Sequence, residues 1–450
     1  MRDLIVLAII FASMPVILFR PYFGLLVYSW LAYMRPQDMT WGFSRILPLS
    51  QWVAIAIVAG IVVTLGRERL ITVKIQTVML ILLGIWISIT AMTAVIPEMA
   101  SEVYGHYWKG IAIALLTTGL VKDKERFRWL FLLIPFCIGF LGAKRGLVGI
   151  IQGGAQYKDG PGGFMADNNG FALMLNMSLP LLVGVATTDP RRSVRIAAIV
   201  LATLTVPAIL FTFSRGGFLT LLVVSGLLFW RSRNRLVVAA VMAVALLGFV
   251  AFTSETVTQQ YVERTSTIGD YEEDGSAQGR LNAWRTSWNV FLDYPVVGVG
   301  PNNLAAVFRR YSPEVDRFRV AHNAYFQLLS ENGLPGLLLF LGCLGTALWR
   351  MNRLREETAL PWVVTQARML QISIVAFMAG SMFLSTAYNE VIYHLVALTV
   401  CLEGVAEAEA KQPAVAAATP VPAGEEIPWW KRPPAPAVAS RSAGSGMGRV

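Results

Sequence analysis

Apolar runs near twenty residues long recur along almost the whole of this 450-residue chain, with short basic clusters between them. A run of that length spans the roughly 30 Å of hydrocarbon in a bilayer. Candidate spans fall at residues 3–19, 22–34, 51–66, 75–95, 107–121, 127–143, 169–187, 194–213, 216–230, 235–252, 334–350, 367–386 and 389–406. Thirteen is an upper count. The second run is short and opens with Arg20-Pro21, so a half-span or interfacial segment fits it too, leaving twelve spans and a cytoplasmic N-terminus as the alternative. With 55% of residues hydrophobic, 15% charged and a mean hydropathy of +0.56, the chain has more apolar surface than a water-soluble core absorbs. The expected fold is all-α: a polytopic transmembrane bundle of about 12–13 spans with one long extracytoplasmic loop, residues 253–333, containing short amphipathic helices.

The formal net charge of +10 would suggest nucleic acid in a soluble protein, but here the excess sits in alternate short loops, so membrane orientation accounts for it and no nucleic-acid partner is expected. Arg67, Arg69 and Lys74; Lys122, Lys124, Arg126 and Arg128; Arg191, Arg192 and Arg195; Arg231, Arg233 and Arg235; and Arg350, Arg353 and Arg355 mark the cytoplasmic side. The intervening loops, 35–50, 96–106, 153–168 and 387–388, hold only Arg35, Arg45 and Lys158 as basic residues and face outward. The same alternation sends 253–333 outward, where acids slightly outnumber bases up to residue 321. Cys137, Cys343 and Cys401 all lie in apolar runs, which argues against a disulfide framework or a thiolate metal site. The first run lacks a small-residue cleavage site and reads as a retained span rather than a signal peptide. Residues 411–450, rich in Pro, Ala, Gly and Ser, read as a disordered cytoplasmic tail whose Trp429-Trp430-Lys431-Arg432 cluster is either solvated or touches the membrane surface. No repeat of 20 to 50 residues is evident.

The chain has three histidines. His106, beside Tyr107 and Trp108, suits interfacial packing, and His394 in the last span suits a hydrogen bond to a neighbouring helix. His322 stands in the amphipathic stretch Ala321–Gly333 before a span, where an imidazole at the outer surface is able to take a proton from a sugar hydroxyl; a structural histidine is the competing reading. Arginine suits phosphate, because its guanidinium binds it as a bidentate fork. Arg215, in Phe213-Ser214-Arg215-Gly216-Gly217, occupies a tight outer turn where the glycines permit close approach; snorkelling to lipid headgroups is the alternative. Arg280 and Arg285 flank an apolar helical stripe of Leu281, Trp284, Trp288, Phe291 and Leu292, which places a helix flat on the bilayer with its cations at phosphate depth. Lys144 and Arg145 lie near another outer span end, followed by a Gly-rich loop to Asp167-Asn168-Asn169, whose polar groups suit either sugar binding or capping of the next span. No HExxH, acidic metal triad or Walker loop occurs, so neither a metal nor a cofactor is expected.

Ser214-Arg215-Gly216-Gly217, Gly279-Arg280, Tyr294-Pro295, Gly298-Val299-Gly300-Pro301-Asn302-Asn303, His322-Asn323 and Glu331-Asn332-Gly333 with Gly336 follow one another in an order that resembles the bacterial O-antigen ligase and polymerase superfamily over about residues 195–350. The N-terminal half, with Gly160-Pro161 and Asp167-Asn168-Asn169, is similar to the exosortase-associated O-glycosylation ligases. The resemblance implies a glycosyltransferase of the bacterial inner membrane that moves a glycan, on the periplasmic face, from an undecaprenyl-diphosphate carrier to a glycan, lipid or protein acceptor without metal. By motif position, Arg215 and Arg280 match arginines that hold the donor diphosphate and His322 matches the catalytic histidine. Arg285, Arg145, Asn323, Asp167 and Asn168 are candidates for substrate binding. The chain divides accordingly into 1–190, an N-terminal transmembrane region of the O-glycosylation ligase type; 191–410, the ligase-like region; and the tail.

Two other readings remain. A polysaccharide polymerase of the same superfamily shares these motifs. A flippase or secondary transporter for lipid-linked sugars would place its charges or broken helices at mid-membrane, whereas the candidates here gather at outer span ends.

Overall fold

The computed structural model describes residues 1–411 apart from 65–67, 69, 155–158, 232–234, 253–258, 260–274 and 313–319. Arg67, Arg69, Lys158, Arg233, much of the first part of the 253–333 segment and the tail beyond Lys411 lie outside the described residues. Each of the thirteen apolar runs forms a helix, because hydrocarbon leaves backbone amides no partner outside their own segment. These helices are α1 (Arg2–Phe19), α2 (Pro21–Met34), α3 (Leu49–Val63), α4 (Ile75–Met92), α5 (Pro97–Leu120), α6 (Lys124–Ile151), α7 (Asn168–Thr188), α8 (Arg192–Phe211), α9 (Arg215–Arg231), α10 (Arg235–Phe252), α13 (Ala324–Glu357), α14 (Pro361–Gly380) and α15 (Glu390–Lys411). Two more, α11 (Gly275–Asp293) and α12 (Leu304–Tyr311), belong to the long loop, and a hairpin of β1 (Asp159–Gly162) and β2 (Met165–Asp167) precedes α7. The chain is thus a polytopic helical membrane protein. Eight of the described helices are long and apolar enough to cross a bilayer; α2, α3 and α9 are shorter at 14, 15 and 17 residues, and the outer turns of α5 carry Glu98, Glu102 and Lys109.

Polar contacts sort the loops onto two ends. At one end Arg126 and Lys122 meet Glu68 at 2.8 and 3.0 Å, Arg128 meets Asp189 at 2.8 Å, and Lys74 and Arg350 converge on Glu403 at 3.1 and 2.7 Å. Partial burial pushes the Glu68 carboxyl up, but hydrogen bonds from Arg126 and Lys122 outweigh it and hold the group below the usual carboxylate range. At the other end the Asp3 carboxylate accepts from Ser44 Oγ at 2.8 Å, Val95 N donates to Val299 O at 3.0 Å, and Asn323 Nδ2 donates to Met382 O at 3.1 Å. The charge alternation read from the sequence is therefore a spatial separation. Because α1 begins beside the 3-10 turn Phe43–Arg45, it starts at the same end as the outer loops, and α2 is an antiparallel partner packed on α1, α3 and α6. This is the thirteen-helix arrangement; the short second run is a helix of the bundle, not a surface segment.

The α6–α7–α8 trio, with α14 packed against α7 and α9, forms a densely packed centre of the bundle. A Cβ on Gly146 of α6 would lie 2.1 Å from the carbonyl oxygen of Leu204, so only glycine allows α6 and α8 this close. Outward-facing Phe11, Val16, Ile55, Val62, Ile85 and Leu222 are large, apolar and exposed, as a hydrocarbon-facing surface requires. His394 bridges helices as expected, its Nδ1 2.6 Å from Tyr33 Oη on α2 and its Nε2 3.1 Å from Thr117 Oγ1 on α5.

Candidate functional site

Three chain segments meet around the turn Ser381–Phe383 between α14 and α15, at the end of the bundle opposite the Arg126–Glu68 and Arg350–Glu403 salt bridges. The first is the α8–α9 turn. Phe213 takes a left-handed backbone (φ 54°), which reverses the chain so that α9 begins at Arg215. Ser214 Oγ accepts from Gly217 N at 3.0 Å, capping α9, and donates to Asn169 Oδ1 at 2.7 Å; Asn168 Nδ2 donates to Thr212 O at 2.9 Å. Gly216 and Gly217 serve close approach: added Cβ atoms would stand 2.9 Å from Phe383 Cβ and 2.6 Å from Ala172 Cβ. Half-buried Arg215 therefore projects from a turn pinned by α7 on one flank and Phe383 on the other.

The second segment is α11. Its small and polar face, Ala283, Thr286, Ser287 and Val290, is buried, and Trp288 and Leu292 are 48% and 60% exposed, as the lipid-facing stripe read from the sequence requires; Trp284, read as part of the same stripe, instead packs inward against Phe326. The half-buried Arg280 lines one small cleft with Asn169, Ser214, Gly216, Gly217 and Phe383. Arg285 is exposed.

The third segment carries His322, whose backbone is left-handed at φ 45°. Trp284 Nε1 donates to Ala321 O at 2.8 Å and stacks its ring on Phe326 at 5.6 Å; Ala324 N donates to Ser381 O at 2.9 Å; and Asn323 Oδ1 caps α13 by accepting from Tyr325 N and Phe326 N. His322 is half-buried at this junction. The left-handed backbone is sparsely populated by non-glycine residues, and these flanking bonds fix it.

Behind this junction α13 breaks at Gly333 (φ 67°). The carbonyls of Ser330 and Glu331, which the break leaves without helical partners, accept from Val299 N and Gly300 N at 3.0 and 2.9 Å, while Leu334 N donates to Pro295 O at 2.9 Å. The Tyr294–Asn303 turn is thus the clasp of the Gly333 break. Buried Asn332 adds Thr90 and Tyr388, at 2.8 and 2.7 Å, and Tyr388 Oη also donates to Glu331 Oε2 at 2.7 Å. Nearby, a hydrogen bond to Asp293 pushes the Tyr311 phenol up to about 12.

The candidates read from the sequence separate accordingly. Arg215, Arg280, His322 and Asn323 gather around the Ser381–Phe383 turn. Asp167 caps α7, its Oδ1 accepting from Asn169 N and Gly170 N at 2.8 and 3.0 Å, and Asn168 holds the α8–α9 turn; of the two roles open to them, these contacts are the structural one. Arg145 lines a different cavity. Sequence reasoning missed Phe383 and Ser381, neither of which stands in a charged or motif-like context; Asn169, read as part of the Asp167-Asn168-Asn169 motif, holds Ser214. Among the described residues no group of three or more His, Cys, Asp or Glu side chains is placed to hold a metal ion.

Fold and site together define a multi-pass helical membrane protein with two arginines and a histidine collected at the loop-bearing end of the bundle. Residues 197–341 match the family model described as O-Antigen ligase, and residues 1–179 match a family of unknown function (DUF5935). The match over residues 197–341 supports an O-antigen ligase-like relationship and, with the helical membrane fold, a membrane enzyme of the ligase and polymerase type. A comparison with curated proteins found no match.

Proposed function

We propose that this chain is a metal-independent glycosyltransferase of the bacterial inner membrane, transferring a glycan from an undecaprenyl-diphosphate carrier to an acceptor at the periplasmic face. The observation that carries this reading is the common support of three side chains. Phe383 packs on Gly216 beside Arg215 and lines the Arg280 cleft, and the preceding Ser381 and Met382 carbonyls dock the two residues that follow His322.

In this reading the acceptor hydroxyl oxygen forms a bond to the anomeric carbon as the bond from that carbon to the diphosphate oxygen breaks. The hydroxyl proton passes to the His322 imidazole and then to solvent. The negative charge appearing on the leaving diphosphate is met by Arg215 and Arg280, whose guanidinium forks suit it at headgroup depth. Polyprenyl diphosphate is released and the acceptor carries the glycan.

Incubation of the purified protein in nanodiscs with labelled lipid-linked glycan, with and without acceptor, tests this. His322→Ala is expected to lower transfer by about 10²–10⁴-fold and Arg215→Ala or Arg280→Ala by about 10²–10³-fold each, with insertion unchanged. Wild-type transfer by all three variants would overturn the assignment. Lengthening of the glycan on its lipid carrier without acceptor would make the enzyme a polymerase.

A further inference from the structure

We infer that the outer end of the N-terminal half holds a second binding site, separate from the Arg215–Arg280–His322 junction, for a phosphate-bearing lipid with a hydroxylated headgroup. A cavity of about 970 Å³ opens there, and all its lining residues fall within residues 1–179, the part matching the family of unknown function. It shares no lining residue with the Arg280 cleft.

Charge identifies the ligand's head. Arg2, Arg35, Arg45, Lys144 and Arg145 line the cavity against one carboxylate, Asp38. They come from four separate elements, α1, the α2 end, the Phe43–Arg45 turn and α6, so their convergence comes from the tertiary fold and not from one basic stretch. With Arg35 ion-paired to Asp38, cationic side chains still outnumber carboxylates among the described lining residues, which suits a multiply charged anion; a phosphate monoester carries about −1.5 to −2 at neutral pH. The floor is shaped for close approach. Arg35 is ion-paired to Asp38, and this pair rests on Gly162 and Gly163 (φ 114° and 56°), where an added Cβ would fall 2.4 Å from Asp38 and 2.1 Å from Arg35.

Apolar surface identifies the tail. Ile5 and Ile9 of α1 and Phe140 of α6 line the same cavity and are among the exposed large hydrophobic residues, so its wall runs on into the lipid-facing surface. A soluble phosphate compound has no use for that wall, whereas an acyl or prenyl chain does. On the other flank, Arg35, Asp38, Arg45 and Gly163 also line a second cavity of about 510 Å³. Gln37, Gln51, His106 and Lys109, joined by Asn389 and Glu390 from the start of α15, furnish it with the donors and acceptors that hydroxyl groups need. An apolar wall and a basic floor in one cavity and a polar lining in the next thus follow one another in the order in which a glycerol- or sugar-bearing phospholipid presents its chain, phosphate and headgroup.

Native mass spectrometry of the full chain released from detergent tests this, with phosphatidylglycerol, undecaprenyl phosphate, phosphatidylcholine and inorganic diphosphate as probes. The wild type should retain the two anionic lipids about tenfold better than phosphatidylcholine, equivalent to about 1.4 kcal/mol. Lys144→Gln/Arg145→Gln, and separately Arg45→Gln, are each made alongside Arg215→Ala/Arg280→Ala so that the junction holds no diphosphate. Both should lose that preference with the thermal midpoint of the Arg215→Ala/Arg280→Ala parent, which itself keeps the preference, as should Arg192→Gln/Arg195→Gln at the opposite end of the bundle. The stronger binder of the two anionic lipids names the source. Equal retention of phosphatidylcholine, or a preference surviving in both cavity variants, would overturn the site; inorganic diphosphate binding as tightly as the lipids would overturn its assignment to a lipid. Because the readout is binding, the result stands whether or not His322 supports glycan transfer.

Discussion

At the scale of single residues, the outer junction is built from short polar contacts between segments far apart in sequence. The left-handed backbone of His322 persists because Ala321, Asn323 and Ala324 are each tied to another element, by Trp284, Met382 and Ser381. Trp284→Phe keeps a ring over Phe326 but removes the donor to Ala321 O, a loss of about 1 kcal/mol. Transfer should fall while the thermal midpoint in detergent moves by only a few degrees; Trp284→Ala, which also loses the stack, should lower both further. Unchanged transfer in both variants would separate Trp284 from the positioning of His322. None of this was legible in the sequence. His322, Arg215 and Arg280 stood out as rare chemistry in outward segments, but Ser381 and Phe383 act through a carbonyl and a ring edge, and residue type does not report either.

Among elements, apolar runs located the helices and polar turns hid their ends. The sequence places a span at 107–121, yet α5 starts at Pro97, because Glu98, Glu102 and His106 continue the helix into the headgroup region, where polar side chains cost nothing. In the same way α6 continues past 143 through Lys144 and Arg145 to Ile151. The break in α13 was visible only as a glycine before Leu-Pro; its meaning depends on the Tyr294–Asn303 clasp. A methyl group at Gly333 would face a left-handed backbone and stand 1.9 Å from Val296 O, so Gly333→Ala should destabilise the protein by about 3 kcal/mol or more. Thermal unfolding in detergent measures this, and a shift as small as that of a lipid-facing Leu338→Ala would show that the clasp bears little of the fold.

For the whole molecule, two-ended sorting of charge was the strongest signal in the sequence, since each basic cluster votes independently on orientation. The salt bridges of Arg126, Arg128 and Arg350 and the contacts of the outer turns bear out that separation in space. Glu102→Cys, exposed on the outer part of α5, should react with a membrane-impermeant maleimide applied to cells with a permeabilised outer membrane, and Arg353→Cys only after the inner membrane is opened. Cys137, Cys343 and Cys401 are buried and give little background. Equal labelling of both variants in closed cells would invert or abolish the orientation.

The hydrogen bonds from Asn168 to Thr212 and from Ser214 to Asn169 join the two family-matched stretches across the start of α7. That seam bears on how such proteins can be recombined. A chimera that replaces residues 1–179 imports a new pair of residues beneath the turn that presents Arg215, so exchange of the N-terminal half is an intervention in the ligase half as well. Grafts that keep Asn168 and Asn169 with the Thr212–Gly217 turn respect the inheritance unit that the fold defines, which is not the one marked by the boundaries of the sequence families.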